Sequence, residues 1–362
     1  MTELSDQLSQ LKRNESKVTV ATLVNTRGTT PRKEGAKMLV GEGGRVLGSV
    51  TIGGCVDAQV IEESADVLGK NAPRLLELNL GDEEAWEIGL TCGGTIEVFL
   101  EPVTLADKDD TTLVYYERAR VHAEQGGRAV IVTRLDAPHH GAKLLLLDGG
   151  GQEGTLGDSF LDQRFATEAR AAMAAGKSQT LFLENVRAFA EVFAPPSTLV
   201  VVGASHVAMP LTTLAKTLGF RTIVVDGRPR FATKERFPDV DDLRIGVPSE
   251  LVQQVPLIAT TALVLVAHDY KYDLPVLKHA LGTPVGYIGL LGSTRRGAAI
   301  LNLLREDGVA EDALLRVRVP IGLDLGAQSA PEIALSILAE ALAAHRNATG
   351  MPISEKVRRG LK

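Results

Sequence analysis

Apolar residues along this chain follow two rhythms, and the change falls near the middle. In the first half, short apolar runs alternate with glycine-rich turns. Val18–Val24 is a β-branched run that predicts a strand. The polar segment 25–35, NTRGTTPRKEG, predicts a loop. Residues 37–40 (KMLV), a GEGG turn and residues 45–50 (RVLGSV) predict a hairpin. Val56, Val60, Ile61, Val67 and Leu68 share one face of a predicted helix over 56–70, which breaks at Gly69. Residues 96–102 (IEVFLEP) predict a further strand, and Leu4, Leu8 and Leu11 a short amphipathic helix at the start.

This pattern has an echo. Residues 34–50 read EGAKMLVGEGGRVLGSV, and residues 140–157 read HGAKLLLLDGGGQEGTLG. Each copy is preceded by a strand and a proline-containing loop, so an internal strand–hairpin duplication is expected. The copies then diverge. The first continues into TIGGC (51–55), the second into DSFLDQ (158–163).

After Pro195-Pro196, the expected linker, the rhythm lengthens. Apolar strand runs at 197–204, 221–226, 262–267 and 285–292 alternate with helical patterns at 207–220, 294–308 and 331–345. Strands alternating with helices predict a doubly wound parallel sheet. The expected organisation is an α/β domain over 1–194, a Rossmann-like domain over 195–346 and a flexible tail over 347–362.

A chain of 362 residues suits two cores. Its 39 basic and 45 acidic residues leave a net charge of −6, which argues against nonspecific nucleic-acid binding. The polar N-terminus has no apolar stretch of signal-peptide length, and no segment is apolar enough to span a bilayer. A cytoplasmic location is the expectation. In that compartment the two cysteines, Cys55 and Cys92, are read as free thiols.

Three places carry candidate chemistry. The first is GASHVA (203–208), which follows a strand and opens a helix, with Asp226 lying 23 residues after Gly203. That is the layout of a dinucleotide-binding turn and its ribose-binding acid. Ser205 replaces the second glycine, where a pyrophosphate normally meets bare backbone, so a phosphate-bearing ligand is favoured over NAD(P). The second place comprises two strand-end loops: HDYKYD (268–273) with His268, and GLLGSTRR (289–296) with Gly292, Ser293, Arg295 and Arg296. A relaxed backbone, a hydroxyl and arginines suit a phosphate or carboxylate. The third is the thiols. Cys55 follows Gly53 and Gly54, and Cys92 precedes Gly93 and Gly94. Cys55 falls at a helix start, where the dipole favours thiolate, and Arg32 and Lys33 lie nearby in sequence. No Cys-x-x-Cys is present, so a four-ligand zinc site is unsupported.

TTPRKEGAKMLV (29–40), GGC (53–55), CGG (92–94), VGASHVAMPL (202–211), DGR (226–228), FATKERFP (231–238) and PIGLDLGAQSAPEIALSILAE (320–340) together resemble the XdhC/CoxI family, through nearly the whole chain and in family order. The resemblance implies an N-terminal XdhC/CoxI domain followed by a Rossmann domain. It implies an accessory chaperone, not an enzyme. Such a protein binds molybdenum cofactor, supports its sulfuration with a cysteine desulfurase and delivers it to an apo molybdenum hydroxylase of the xanthine dehydrogenase or CO dehydrogenase type. It also suggests a homodimer. The cofactor is molybdopterin in mononucleotide or dinucleotide form. Its phosphate end is expected at Gly203, Ser205 and His206, with Asp226, Arg228, His268, Gly292, Ser293 and Arg295 around it. Its metal end is expected at Cys55, as metal ligand, with Arg32, Gly53, Gly54, Cys92 and Gly93. The chain departs from the family pattern at Ser205, at Asp57 in GGCVD and at Tyr270 in HDY. Three other functions stay open on the residues alone: an NAD(P)-dependent oxidoreductase, a non-catalytic docking adaptor and a sulfur carrier.

Overall fold

The computed structural model describes residues 15–28, 30, 32–51, 55–79, 94–267 and 270–360. The helix expected around Leu4, Leu8 and Leu11 lies outside them. The chain falls into two compact units, the first ending at Pro195 and the second beginning at Pro196.

The first unit holds two five-stranded antiparallel sheets made of matching parts. One contains β1 (Lys17–Gly28), β2 (Lys37–Gly41), β3 (Val46–Gly48), β4 (Arg74–Asn79) and β5 (Gly94–Thr104), in the order β3-β2-β1-β5-β4. The other contains β6 (Ala129–Arg134), β7 (Lys143–Leu147), β8 (Gln152–Gly154), β9 (Gln179–Leu183) and β10 (Val186–Phe193), in the order β8-β7-β6-β10-β9. Replacing each strand of the first sheet by its counterpart in the second converts one order into the other. A helix joins the hairpin to the fourth strand in both copies: α1 (Cys55–Lys70) in the first, α3 (Ser159–Ala175) in the second, with α2 (Thr111–Glu124) between the copies. The duplication expected from the hairpins is present, and it extends over the whole βββαββ unit. Part of the expected 25–35 loop is strand, because β1 runs on to Gly28, where it pairs with Gly94.

Alternation of side chains explains how these strands are buried on both faces. In β1, Ala21 and Leu23 pack with Val60 and Val67 of α1. On the other face Val24 joins Phe99, and both meet their counterparts Leu135 and Phe189 from the second copy. The same face carries buried charges. Lys37, opposite Thr22 in its ladder, reaches Glu191 of the second copy at 3.0 Å and donates to Tyr116 OH at 2.6 Å. Lys143, opposite Thr133, reaches Glu101 of the first copy at 2.7 Å. Each copy therefore gives its lysine to the other's glutamate. Glu97 and Arg187, which are also counterparts, have diverged to opposite charge and pair with each other at 2.7 Å.

The second unit is a six-stranded sheet of parallel neighbours: β11 (Thr198–Val202), β12 (Arg221–Asp226), β13 (Asp242–Ile245), β14 (Thr261–Leu265), β15 (Tyr287–Leu290) and β16 (Val317–Arg318). Their order, β13-β12-β11-β14-β15-β16, is that of a dinucleotide-binding Rossmann sheet. Helices α4 (Ala208–Thr217), α5 (Pro248–Gln253), α6 (Tyr270–Leu281), α7 (Thr294–Glu306), α8 (Glu311–Leu314) and α9 (Ala330–His345) accompany it. Leu199 and Val201 pack toward α4 and α9 on one face, Val200 and Val202 toward α6 and α7 on the other. A capping box of Ser329 and Glu332 sets the start of α9. The segment after 346 carries a short helix, α10 (Ile353–Arg358), with no buried residue. Among the described residues no helix is long and apolar enough to cross a membrane.

The Lys143–Glu101 pair is almost fully buried, with side chains 2% and 7% exposed. Lys143→Met leaves Glu101 an uncompensated buried charge and is expected to cost about 3–5 kcal/mol in urea unfolding. The double variant Lys143→Met/Glu101→Leu, which removes both charges, is expected to recover most of that loss. A single variant as stable as the parent would show that the pair does not hold the two copies together.

Candidate functional site

Of the residues singled out in the sequence, Arg32 lies beside the segment that precedes α1 in the first copy, and Gly203, Ser205, His206, Asp226, Arg228, Gly292, Ser293 and Arg295 lie at the strand ends of the second unit. In the first copy the chain leaves β3 through Ser49 and Thr51 and enters α1 at Cys55. Asp57, in the first turn of α1 and only 8% exposed, ties this segment down. Its Oδ1 accepts from the Thr51 hydroxyl at 3.0 Å and the Thr51 N–H at 3.3 Å, and its Oδ2 accepts from the Ser49 hydroxyl. Arg32 closes the other side, its Nη1 donating to the Ser49 carbonyl at 2.8 Å. Arg32 thus sits against the segment that leads to Cys55, as a brace on its backbone.

The second copy keeps the aspartate brace. Asp162 accepts from the Thr155 hydroxyl at 2.8 Å and the Leu156 N–H at 2.6 Å, the same role as Asp57. There the helix start is sealed by Asp158, which accepts from the N–H groups of Phe160 and Leu161. The residue at the matching distance before Asp57 is Gly53, which has no side chain to offer as a cap. Cys55 is the first residue of α1. Its side chain, and Gly53, Gly54, Cys92, Gly93 and His268, lie outside the described residues.

In the second unit the expected turn is present. Gly203 follows β11 with φ +107°, and a Cβ there would stand 2.7 Å from the backbone of Ala267. Only glycine lets the two strand ends approach so closely. Ser205, in place of the second fingerprint glycine, turns its Oγ inward to accept from the Ala208 N–H at 3.4 Å, so it occupies part of the helix start itself. His206 is exposed.

Asp226 ends β12 and is 3% exposed. Both of its oxygens are engaged by the chain. Oδ2 accepts from the Ala204 N–H at 2.6 Å and Arg228 Nη2 at 2.8 Å. Oδ1 accepts from the Arg228 N–H at 2.7 Å and Arg228 Nε at 2.9 Å. Burial alone would raise its pKa, but the hydrogen bonds from Arg228 and Ala204 outweigh burial and hold it below the ordinary aspartate value. The Arg228 guanidinium stacks on Phe231 at 4.4 Å. Gly203, Asp226 and Arg228 line one cavity with Gly227, Pro248, Ala267 and Tyr272.

Farther along the strand ends, Ser293 caps α7, its Oγ accepting from the Arg296 N–H. Gly292 lies beside the Arg296 side chain, and Arg295 is exposed. The inward arginine is Arg296. It pairs with the fully buried Asp273 at 2.5 Å and stacks on Tyr270 at 4.4 Å. Sequence reasoning passes over Asp273 and Tyr272. The signal available for the pair is opposite charge in two consecutive strand-end loops. Among the described residues no group of three or more His, Cys, Asp or Glu is placed to hold a metal ion.

Known proteins share this architecture and sequence. A family model described as the XdhC Rossmann domain matches residues 199–341, and one described as the XdhC and CoxI family matches residues 11–79. A Bacillus subtilis protein, named as a probable subunit of xanthine dehydrogenase, is 27% identical over 92% of this chain and 94% of its own length. An Escherichia coli protein named molybdenum cofactor insertion chaperone PaoD is 27% identical over 89% of this chain and 81% of its own length. A crystal structure from Bacillus halodurans, described as a xanthine dehydrogenase, superposes with a TM-score of 0.76 at 26% identity, covering 94% of this chain and 95% of that one.

Two sets of variants check the geometry. Asp57→Ala and Asp162→Ala each remove a buried carboxylate that braces a hairpin to a helix. Each is expected to lower unfolding free energy by about 2 kcal/mol in urea titration, and by similar amounts. Gly203→Ala pushes a Cβ into the Ala267 backbone and is expected to cost at least about 2 kcal/mol, read as a lowered thermal midpoint of the full chain.

Proposed function

The chain belongs to the XdhC and CoxI family, and on that premise we propose that it is an accessory protein that carries molybdenum cofactor to a xanthine dehydrogenase-type molybdenum hydroxylase. The cofactor is cargo: a pterin with a phosphate at one end and a molybdenum held through sulfur at the other. The chain shields it while a cysteine desulfurase supplies the sulfur that replaces an oxo ligand, and then hands it to the apo-hydroxylase. The observation that carries this reading is the similarity, over 89% of this chain, to a protein named as a molybdenum cofactor insertion chaperone.

The local chemistry supports it. Cys55 opens α1, and a helix start favours a thiolate through its dipole and free amides. Thiolate is a soft ligand and suits a molybdenum centre already bound through sulfur. The neighbouring backbone is held by Asp57 and Arg32, which are engaged with Thr51 and Ser49. The second copy shares the aspartate brace but not the cysteine. In the second, the residue at the position of Cys55 is Phe160 and the helix start is closed by Asp158. In the second unit the Rossmann strand ends offer Arg228 and the Gly203 turn to a phosphate.

Protein produced in molybdenum-replete cells is expected to co-purify with pterin and about one molybdenum per chain, as one preformed site requires. Cys55→Ala is expected to lose the metal or to deliver unsulfurated cofactor, assayed by activation of an apo-hydroxylase. A Cys55→Ala protein that retains and delivers sulfurated cofactor normally would remove the thiol from the mechanism. Absence of pterin together with stable capture of a hydroxylase would favour a docking adaptor.

A further inference from the structure

A Rossmann sheet recognises its nucleotide at the end of the second strand, where a carboxylate accepts from both hydroxyls of a ribose. Here that carboxylate is Asp226, and its acceptor positions are spent. An aspartate offers about four lone-pair positions, and Asp226 fills four with the N–H of Ala204, the N–H of Arg228, and Arg228 Nε and Nη2. It lines the cavity at only 3% exposure, with its acceptor positions already taken by the chain. The group presented to the cavity beside it is the Arg228 guanidinium, half-exposed and held flat by the carboxylate and by the Phe231 ring.

The surroundings carry the same sign. The segment after β12, RPRFATKER (228–236), has four cations and one anion. Arg236 lies across the turn, donating to the carbonyls of Ala204 and Phe231, so this segment is fastened over the Gly203 turn. A planar, fixed guanidinium beside an arginine-rich loop matches the oxygens of a phosphate better than a neutral sugar.

We infer that the Asp226–Arg228 latch makes the second unit a receptor for a phosphomonoester at the end of β12 and excludes a ribose diol from that position. Two kinds of ligand carry such a group: a 2′-phosphorylated nucleotide, and the mononucleotide form of the pterin cargo. The choice of pterin form rests on the function proposed above. The preference for phosphomonoester over diol does not.

The test uses the full-length protein and two commercial probes, NADPH and NADH, which differ by one 2′-phosphate. Calorimetric titration is expected to give NADPH at least about tenfold tighter binding than NADH, the worth of a charge-assisted contact. Arg228→Ala frees the Asp226 carboxylate and is expected to erase or reverse that ratio. Arg228→Lys, which keeps the charge and loses the fork, is expected to fall between. Equal binding of the two probes by the parent, tighter binding of NADH, or binding of neither would overturn the inference. So would an unchanged ratio in both variants. The source is separated by analysing the pterin released on denaturation: mononucleotide pterin identifies the cargo as the phosphomonoester. Pterin-free protein that still prefers NADPH would strike the proposed function and leave the ligand preference standing.

Discussion

The first unit depends on an exchange of charges across its middle. Two copies of one βββαββ unit face each other, and each sends a lysine from its second strand into the other's fifth strand. Charges removed from water cost several kcal/mol unless they are paired, so a shifted or separated arrangement of the copies leaves four of them stranded. Apolar contact between Val24, Phe99, Leu135 and Phe189 brings the sheets together without fixing where they stop. The lysines and glutamates fix it. The contact between Glu97 and Arg187 adds a second restriction. Counterparts with opposite charge attract, whereas two copies of either half alone would set like charges together, so the pairing is specific to the fused chain.

Duplication also divides labour. Both copies keep the aspartate that braces the hairpin to the helix, Asp57 in one and Asp162 in the other. In the second copy a further aspartate caps the helix and completes a self-contained structure. In the first, glycines precede a cysteine at the same place. Glycine has no side chain with which to cap the helix as Asp158 does in the second copy.

The Rossmann unit makes a parallel use of an internal partner. Its turn retains the glycine that permits close strand approach, while the acid at the second strand end is turned inward to hold the turn itself. Arg228 then becomes the outward group. The residues that mark a nucleotide fold in the sequence are paired with each other in the structure. Arg296 behaves likewise, buried on Asp273 while Arg295 remains in solvent.

What could be read from the chain alone was whatever depends on neighbours in sequence. Apolar runs bounded by glycine located the central strands, the 3.6-residue rhythm located α1, α4, α7 and α9, and the strand–glycine–helix order located the Gly203 turn. Strands β4, β9 and β10 are less legible, because their apolar residues have no strong rhythm and their pairing partners lie elsewhere in the chain. Tertiary structure alone decided which charges are consumed and which are offered. Asp226 in the sequence looks the same whether it meets a sugar or its own Arg228, and Lys143 looks like any surface lysine until Glu101 arrives from another sheet. The reason is physical: sequence rhythm records how a backbone segment exposes its faces, whereas the state of a charge is set by what shares its few ångströms of low-dielectric space.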